Sequence, residues 1–303
     1  MTTDYTRLLD DEIRAFIQRT DDAYPPSSAG AGIEENRRNY DAMCEVFRTP
    51  HPAGLTVVDA PVAGVPTRRY TPQVAGAARV VYFHGGGFVL GGLESHDGVC
   101  AEIAAGTGLE TVAVDYRLAP EHMHPAQFDD ALAVARAEGA AAPVVLVGDS
   151  AGGNLAAAVA HALRGSGVTV KGQVLIYPGL GGPRGASHVT HAEAPMLTAW
   201  EVDTYGGVRF ADGERPEEDP TAEPSVDPDM TGLPPTLAIA AECDPLADDA
   251  TRYAGLLRAA GVEAEAVVEP GLVHGYLRAR HMSEKAAASF ARVIAAILDF
   301  AAR

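Results

Sequence analysis

Pro143-Val144-Val145-Leu146-Val147-Gly148-Asp149-Ser150-Ala151-Gly152-Gly153-Asn154 is the stretch on which the reading of this chain turns. The run 143–147 reads as a short buried strand, and 154–163, rich in alanine, reads as a helix with almost no side chain large enough to crowd a sheet. Between them stands Gly-x-Ser-x-Gly, a sharp strand-to-helix turn that lifts a serine hydroxyl clear of the sheet. A serine at a strained backbone angle needs neighbours without a Cβ. Gly148 and Gly152 let the turn close, and Gly153 lets the helix sit tight against the strand. Ser150 is therefore the candidate nucleophile.

Upstream, His84-Gly85-Gly86-Gly87-Phe88 lies directly behind a second apolar run, 79–83. Attack by a serine on an acyl carbon drives charge onto the former carbonyl oxygen, and backbone N–H groups of a glycine-rich loop can point at that oxygen. The donors expected are Gly85, Gly86 and Ala151. His84 reads as a loop-fixing residue.

A serine hydroxyl also needs a base, and the base an orienting acid. Asp244 leaves the strand-like run 235–241 at its carboxyl end, and His274 follows the run 263–269 in a loop expected over 270–276. These two are the acid and base expected. Among competitors, His281 reads as a solvated surface residue, His161 as a helix residue away from the site, and Asp248 and Asp249 as first-turn helix acids. Cys243 reads as a packing thiol.

Strands are expected at 55–58, 67–70, 79–83, 111–114, 144–147, 174–177, 236–240 and 263–268, alternating with helices, which predicts a mostly parallel eight-stranded sheet. Residues 1–50 carry two helical patterns separated by Pro25-Pro26-Ser27-Ser28-Ala29-Gly30 and are expected to be cap helices, with the catalytic domain over 51–303. Residues 179–233, too long for an ordinary connection, read as a cap insertion. The pocket wall is expected from Met43, Phe88, Met196, Trp200, Phe210 and Tyr276.

The net charge of −18, with Lys171 and Lys285 the only lysines, argues against a phosphate-binding surface, and so against nucleic acid. Cys44, Cys100 and Cys243 lack metal or disulfide spacing. The histidine pairs 122/124 and 188/191 have no companion ligands at a recognised spacing, so neither metal nor cofactor is expected. Asp115, Arg117 and Glu121 read as a charge network holding the elbow and the glycine loop. No secretory signal or membrane-length run stands in the sequence, which predicts a cytoplasmic protein with no membrane partner.

Taken in order, 84–88, Asp115-Tyr116-Arg117-Leu118-Ala119-Pro120-Glu121-His122, 148–154, 244–248 and His274-Gly275-Tyr276 resemble the successive motifs of the bacterial hormone-sensitive lipase family of esterases. The resemblance implies an α/β-hydrolase fold with a helical cap and ester hydrolysis by Ser150, Asp244 and His274, on short to medium acyl chains. Departures at His124, Ala247 and Tyr276 touch substrate detail only. Amide, carbamate or aryl-ester cleavage would use the same triad, and a non-catalytic binder, as in the plant gibberellin receptors, would lack a working one. The partners expected are a small-molecule ester and, among macromolecules, at most a second copy of the chain.

Overall fold

The strands β1 (Leu55–Asp59), β2 (Thr67–Pro72), β3 (Arg79–Phe83), β4 (Glu110–Val114), β5 (Val144–Asp149), β6 (Val170–Ile176), β7 (Thr236–Cys243) and β8 (Ala264–Val273) form one sheet, in the order β1-β2-β4-β3-β5-β6-β7-β8. The computed structural model describes residues 3–24 and 32–303. Only β1 and β2 run antiparallel to their neighbours. From β4 to β8 the pairing is parallel, as the alternation of strand and helix predicts. Adjacent residues face opposite sides. Val80 and Tyr82 join one core layer, and Val81 and Phe83 the other.

Helices cover both faces, which is what near-continuous apolar strands such as β5 require. After three N-terminal helices, α1 (Tyr5–Leu8), α2 (Asp11–Ala23) and α3 (Ile33–Glu45), come α4 (Asp97–Thr107), α5 (Ala126–Ala141) and α6 (Ala151–Leu163). These are followed by α7 (Ser187–Thr190), α8 (Ala199–Val208), α9 (Ala247–Ala259) and α10 (Glu284–Ala302). Side chains of α2, α3, α4 and α10 pack on one core layer, and those of α5, α6 and α9 on the other.

The largest differences from the sequence reading fall at two boundaries. β6 begins at Val170 rather than 174, and β8 runs on through Pro270 and Gly271 to Val273, where a loop was expected. β8 is an edge strand, so a proline there leaves no ladder partner unpaired, and a register shift between Ala241 and Cys243 restores pairing at Cys243–Val273. The extension carries the chain to the site: His274 is the first residue beyond the strand.

The first expected helical pattern is two helices, because Asp10 caps α2 by accepting the Ile13 N–H at 3.0 Å. The separator 25–30 lies outside the described residues. Ile13 and Phe16 are fully buried, and α2 meets the far end of the chain through the Lys285–Asp10 ion pair (2.9 Å) and the Glu284 N–H to Glu12 Oε2 bond (2.8 Å). Tyr5 Oη bonds His191 at 3.1 Å, joining α1 to the 179–233 segment. Within that segment α8 opens on a capping box of Thr198 and Glu201 and has no buried residue, so it lies on the outside. Among the described residues no helix is long and apolar enough to cross a membrane.

Candidate active site

The turn after β5 places Ser150 at φ 54, ψ −117, a conformation L-residues rarely adopt. A Cβ on Gly148 would collide with the Gly152 carbonyl, and one on Gly152 with the Phe83 carbonyl, so no larger residue fits either place. The Ser150 N–H donates to the Ile176 carbonyl at 2.9 Å, fixing the turn against β6. Asp244, fully buried, follows β7 directly. Its Oδ1 accepts the Leu246 N–H (2.8 Å), and its Oδ2 lies 2.6 Å from His274 Nδ1. His274 Nε2 lies 2.9 Å from Ser150 Oγ. The Tyr177 ring packs 4.8 Å from the imidazole. An imidazole so held can take a proton from Oγ while the carboxylate stabilises the cation that results.

The glycine loop corrects one expectation. The Gly85 N–H donates to Asp149 Oδ1 at 2.9 Å and Gly85 does not line the cavity, so it has no donor left for an oxyanion. Gly86, Gly87 and Ala151 line the cavity beside Ser150, Gly87 having been passed over in the sequence. Asp149 was passed over too, although an acid at the end of an apolar strand is itself a signal. It accepts from Tyr82 Oη (2.8 Å), the Gly85 N–H and His96 Nε2 (3.3 Å), locking loop to elbow. Burial alone would raise its carboxyl, but His96 and the Tyr82 hydroxyl bring it down to about 2. His84 bonds the Gly85 carbonyl through Nδ1 (2.7 Å) and stacks on Tyr116 at 4.2 Å. Burial, with His96 nearby, lowers its imidazole to about 4, so it stays neutral.

Above Ser150 lies a cavity of about 800 Å³. Met43, Phe88, Met196, Trp200 and Phe210 line it, Trp200 at the rim with 73% of its surface exposed. Tyr276 does not. The chain enters a 3-10 turn over Tyr276–His281, which turns the Tyr276 ring inward against Tyr177 and its hydroxyl to Ser289 (2.7 Å). Tyr205 of α8 lies so close to the glycine loop that a Cβ on Gly87 would stand 2.7 Å from its ring. Arg209, just past α8, stacks 3.7 Å over Phe88 and donates to the Ala222 carbonyl (3.0 Å), clasping the 179–233 segment to the loop. Burial lowers its guanidinium to about 9.

The model of the alpha/beta hydrolase fold family matches residues 80–278. Esterase LipI of Mycobacterium tuberculosis is 40% identical over 266 residues, 81% of this chain and 82% of that protein. The Pyrobaculum calidifontis esterase superposes with a TM-score of 0.86 at 33% identity, over 97% of this chain and 100% of that one. An esterase described as from the bacterial hormone-sensitive lipase family gives 0.86 at 26% identity, over 96% and 99%. The chain belongs to this family of α/β hydrolases.

In this α/β hydrolase the remaining candidates stand elsewhere. His281 is exposed and pairs with Glu102 (2.9 Å). His161 is held between Asp227 (2.6 Å) and Tyr253 Oη (2.8 Å). Asp248 and Asp249 are more than dipole partners, since they accept the Ser187 and Leu180 N–H groups (each 2.8 Å) and fasten the 179–233 segment to α9. Burial pushes the Cys243 thiol up to about 12, where it stays protonated. The charge network expected around 115–121 is divided. Arg117 pairs with Asp130 (2.8 Å), while Glu121 pairs with Arg37 of α3 (2.7 Å). Arg37 also donates to the Val89 and Ala119 carbonyls (each 2.8 Å), and Tyr116 Oη bonds the His84 carbonyl (2.7 Å). His124 bonds Asp219 (3.1 Å), and His188 lies 3.6 Å from Asp203. Among the described residues no three His, Cys, Asp or Glu side chains are grouped to hold a metal.

Proposed function

We propose that this α/β hydrolase is a carboxylesterase in which Ser150 attacks the ester carbonyl, His274 takes the proton and returns it to the leaving alcohol, and Asp244 orients the imidazole. The N–H groups of Gly86, Gly87 and Ala151 receive the developing oxyanion. Water, activated by the same histidine, then clears the acyl-enzyme. The observation that carries the reading is the unbroken hydrogen-bond chain from Asp244 through His274 to Ser150, opening on one cavity with the glycine loop. Relatives called esterases at up to 40% identity support the same reaction. Residues 1–50 and 179–233 act as the cap, and a cavity walled by both suits short to medium acyl chains better than long fatty ones.

Ser150→Ala, His274→Ala and Asp244→Asn should each lower kcat by several orders of magnitude, with Ser150→Ala roughly a millionfold down, while Tm is kept. Turnover is measured on a series of p-nitrophenyl esters. A folded Ser150→Ala protein with wild-type turnover overturns the assignment.

A further inference from the structure

Most arginines of the described residues either pair with a carboxylate or stand exposed in water. Arg209 and Arg278 do neither, and both line the cavity. A desolvated cation without a counter-ion is costly, so its charge needs a partner. Arg209 has a structural partner in the Ala222 carbonyl and the Phe88 ring, although its buried Nε and Nη2 have no acceptor.

Arg278 has no such carbonyl, and its side chain is met by Tyr40, whose ring centroid lies 5.8 Å from the guanidinium carbon. Its one side-chain hydrogen bond among the described residues runs from Nη1 to Tyr40 Oη, at a long 3.3 Å, and its buried Nε has no acceptor. It lies four residues beyond His274, and a Cβ on the intervening Gly275 would stand 2.6 Å from Nη2. The guanidinium is thus pressed against the backbone next to the base. The carboxylates of the cavity wall are engaged elsewhere. Asp149 holds the glycine loop, Glu201 the cap of α8, Glu223 pairs with Arg215 (2.5 Å), and Asp249 with Arg252 (2.8 Å). Asp21, also at the wall, is exposed. A guanidinium receives a carboxylate through parallel N–H···O bonds along one of its edges.

We propose that Arg278 makes the cavity selective for esters that carry a carboxylate on one side of the scissile bond. The inference rests on the esterase reading. The charge of the substrate supplies the counter-ion that the protein withholds.

Two matched pairs test it: monoethyl adipate against ethyl hexanoate, with the charge on the acyl side, and 4-acetoxybutanoate against butyl acetate, with the charge on the alcohol side. In one pair the enzyme should favour the charged member in kcat/KM by tenfold or more, on the order of one charged hydrogen bond. Arg278→Met should lower kcat/KM for that charged member at least tenfold more than for its neutral twin, through KM, and Arg278→Lys should recover part of the difference. Preference for the neutral member in both pairs overturns the proposal. So does a parallel fall of both members in Arg278→Met, which would mark a structural role.

If Arg278→Met does not fold, competitive inhibition of the wild-type enzyme decides. Adipate binding more tightly than hexanamide supports the subsite, and equal or weaker binding overturns it. Hydrolysis of the neutral esters, with its loss in Ser150→Ala, reads the esterase assignment separately.

Discussion

The floor of the cavity and its walls are built on different principles. The floor comes from residues at or just beyond the ends of β5, β7 and β8, where sheet register fixes Ser150, Asp244 and His274 to within hydrogen-bond distance. The walls come from α3 and the 179–233 segment, each clasped to the chain just after the glycines, Arg37 at the Val89 carbonyl and Arg209 over the Phe88 ring. Met43 on one wall is 1% exposed, while Trp200 on the other is 73% exposed. Reactive groups are thus set by rigid backbone, and the space around them by surfaces that can change without disturbing it.

The sharpest way to break that contrast is to loosen the floor. Asp149→Asn removes the charge that faces His96 beneath the glycine loop, so kcat should fall about a hundredfold, as when an oxyanion donor is displaced, and stability by about 3 kcal/mol. Kinetics and a denaturant titration on the same protein check both. Wild-type kcat in that variant would mean the loop holds itself.

The walls should answer differently from one another. Met43→Ala should cost about 2–4 kcal/mol, because it opens a hole in a packed layer, and should also shift the acyl-length profile. Trp200→Ala should leave stability within about 0.5 kcal/mol and move only the profile. Melting curves beside kcat/KM over an acyl series separate the two. Equal losses of stability would erase the distinction between wall and rim.

The mildest test concerns His84. Its imidazole is lowered to about 4 in the fold, so the unfolded chain binds the proton first as pH falls. The stability this neutral side chain contributes is complete above about pH 6.5 and is lost towards pH 4, on the order of 2 kcal/mol by pH 5. Melting followed from pH 7 to 5 should therefore fall more steeply in wild type than in His84→Gln. Parallel curves would place the titration elsewhere.

Sequence alone made the floor legible because each part carries a local signature: an apolar run, then glycines, then a polar group. Gly85 was misread because its N–H is taken by Asp149, 64 residues away, a contact that no local pattern records. Tyr276 was misplaced because a single 3-10 turn reverses the side on which a ring falls. The β8 boundary failed where an edge strand tolerates Pro270. Arg278 carries no motif at all. It becomes visible only once every neighbouring carboxylate has been assigned a partner.

The docking of α2 against the start of α10 has a consequence for the order in which the molecule is made. Ile13 and Phe16 are made long before residues 284 and 285, yet Asp10 and Glu12 beside them find their partners there. α2 must wait, without these partners, until the start of α10 has been synthesised. His274 emerges just as late. On the proposed mechanism a nascent chain therefore cannot hydrolyse anything before β8 is in place.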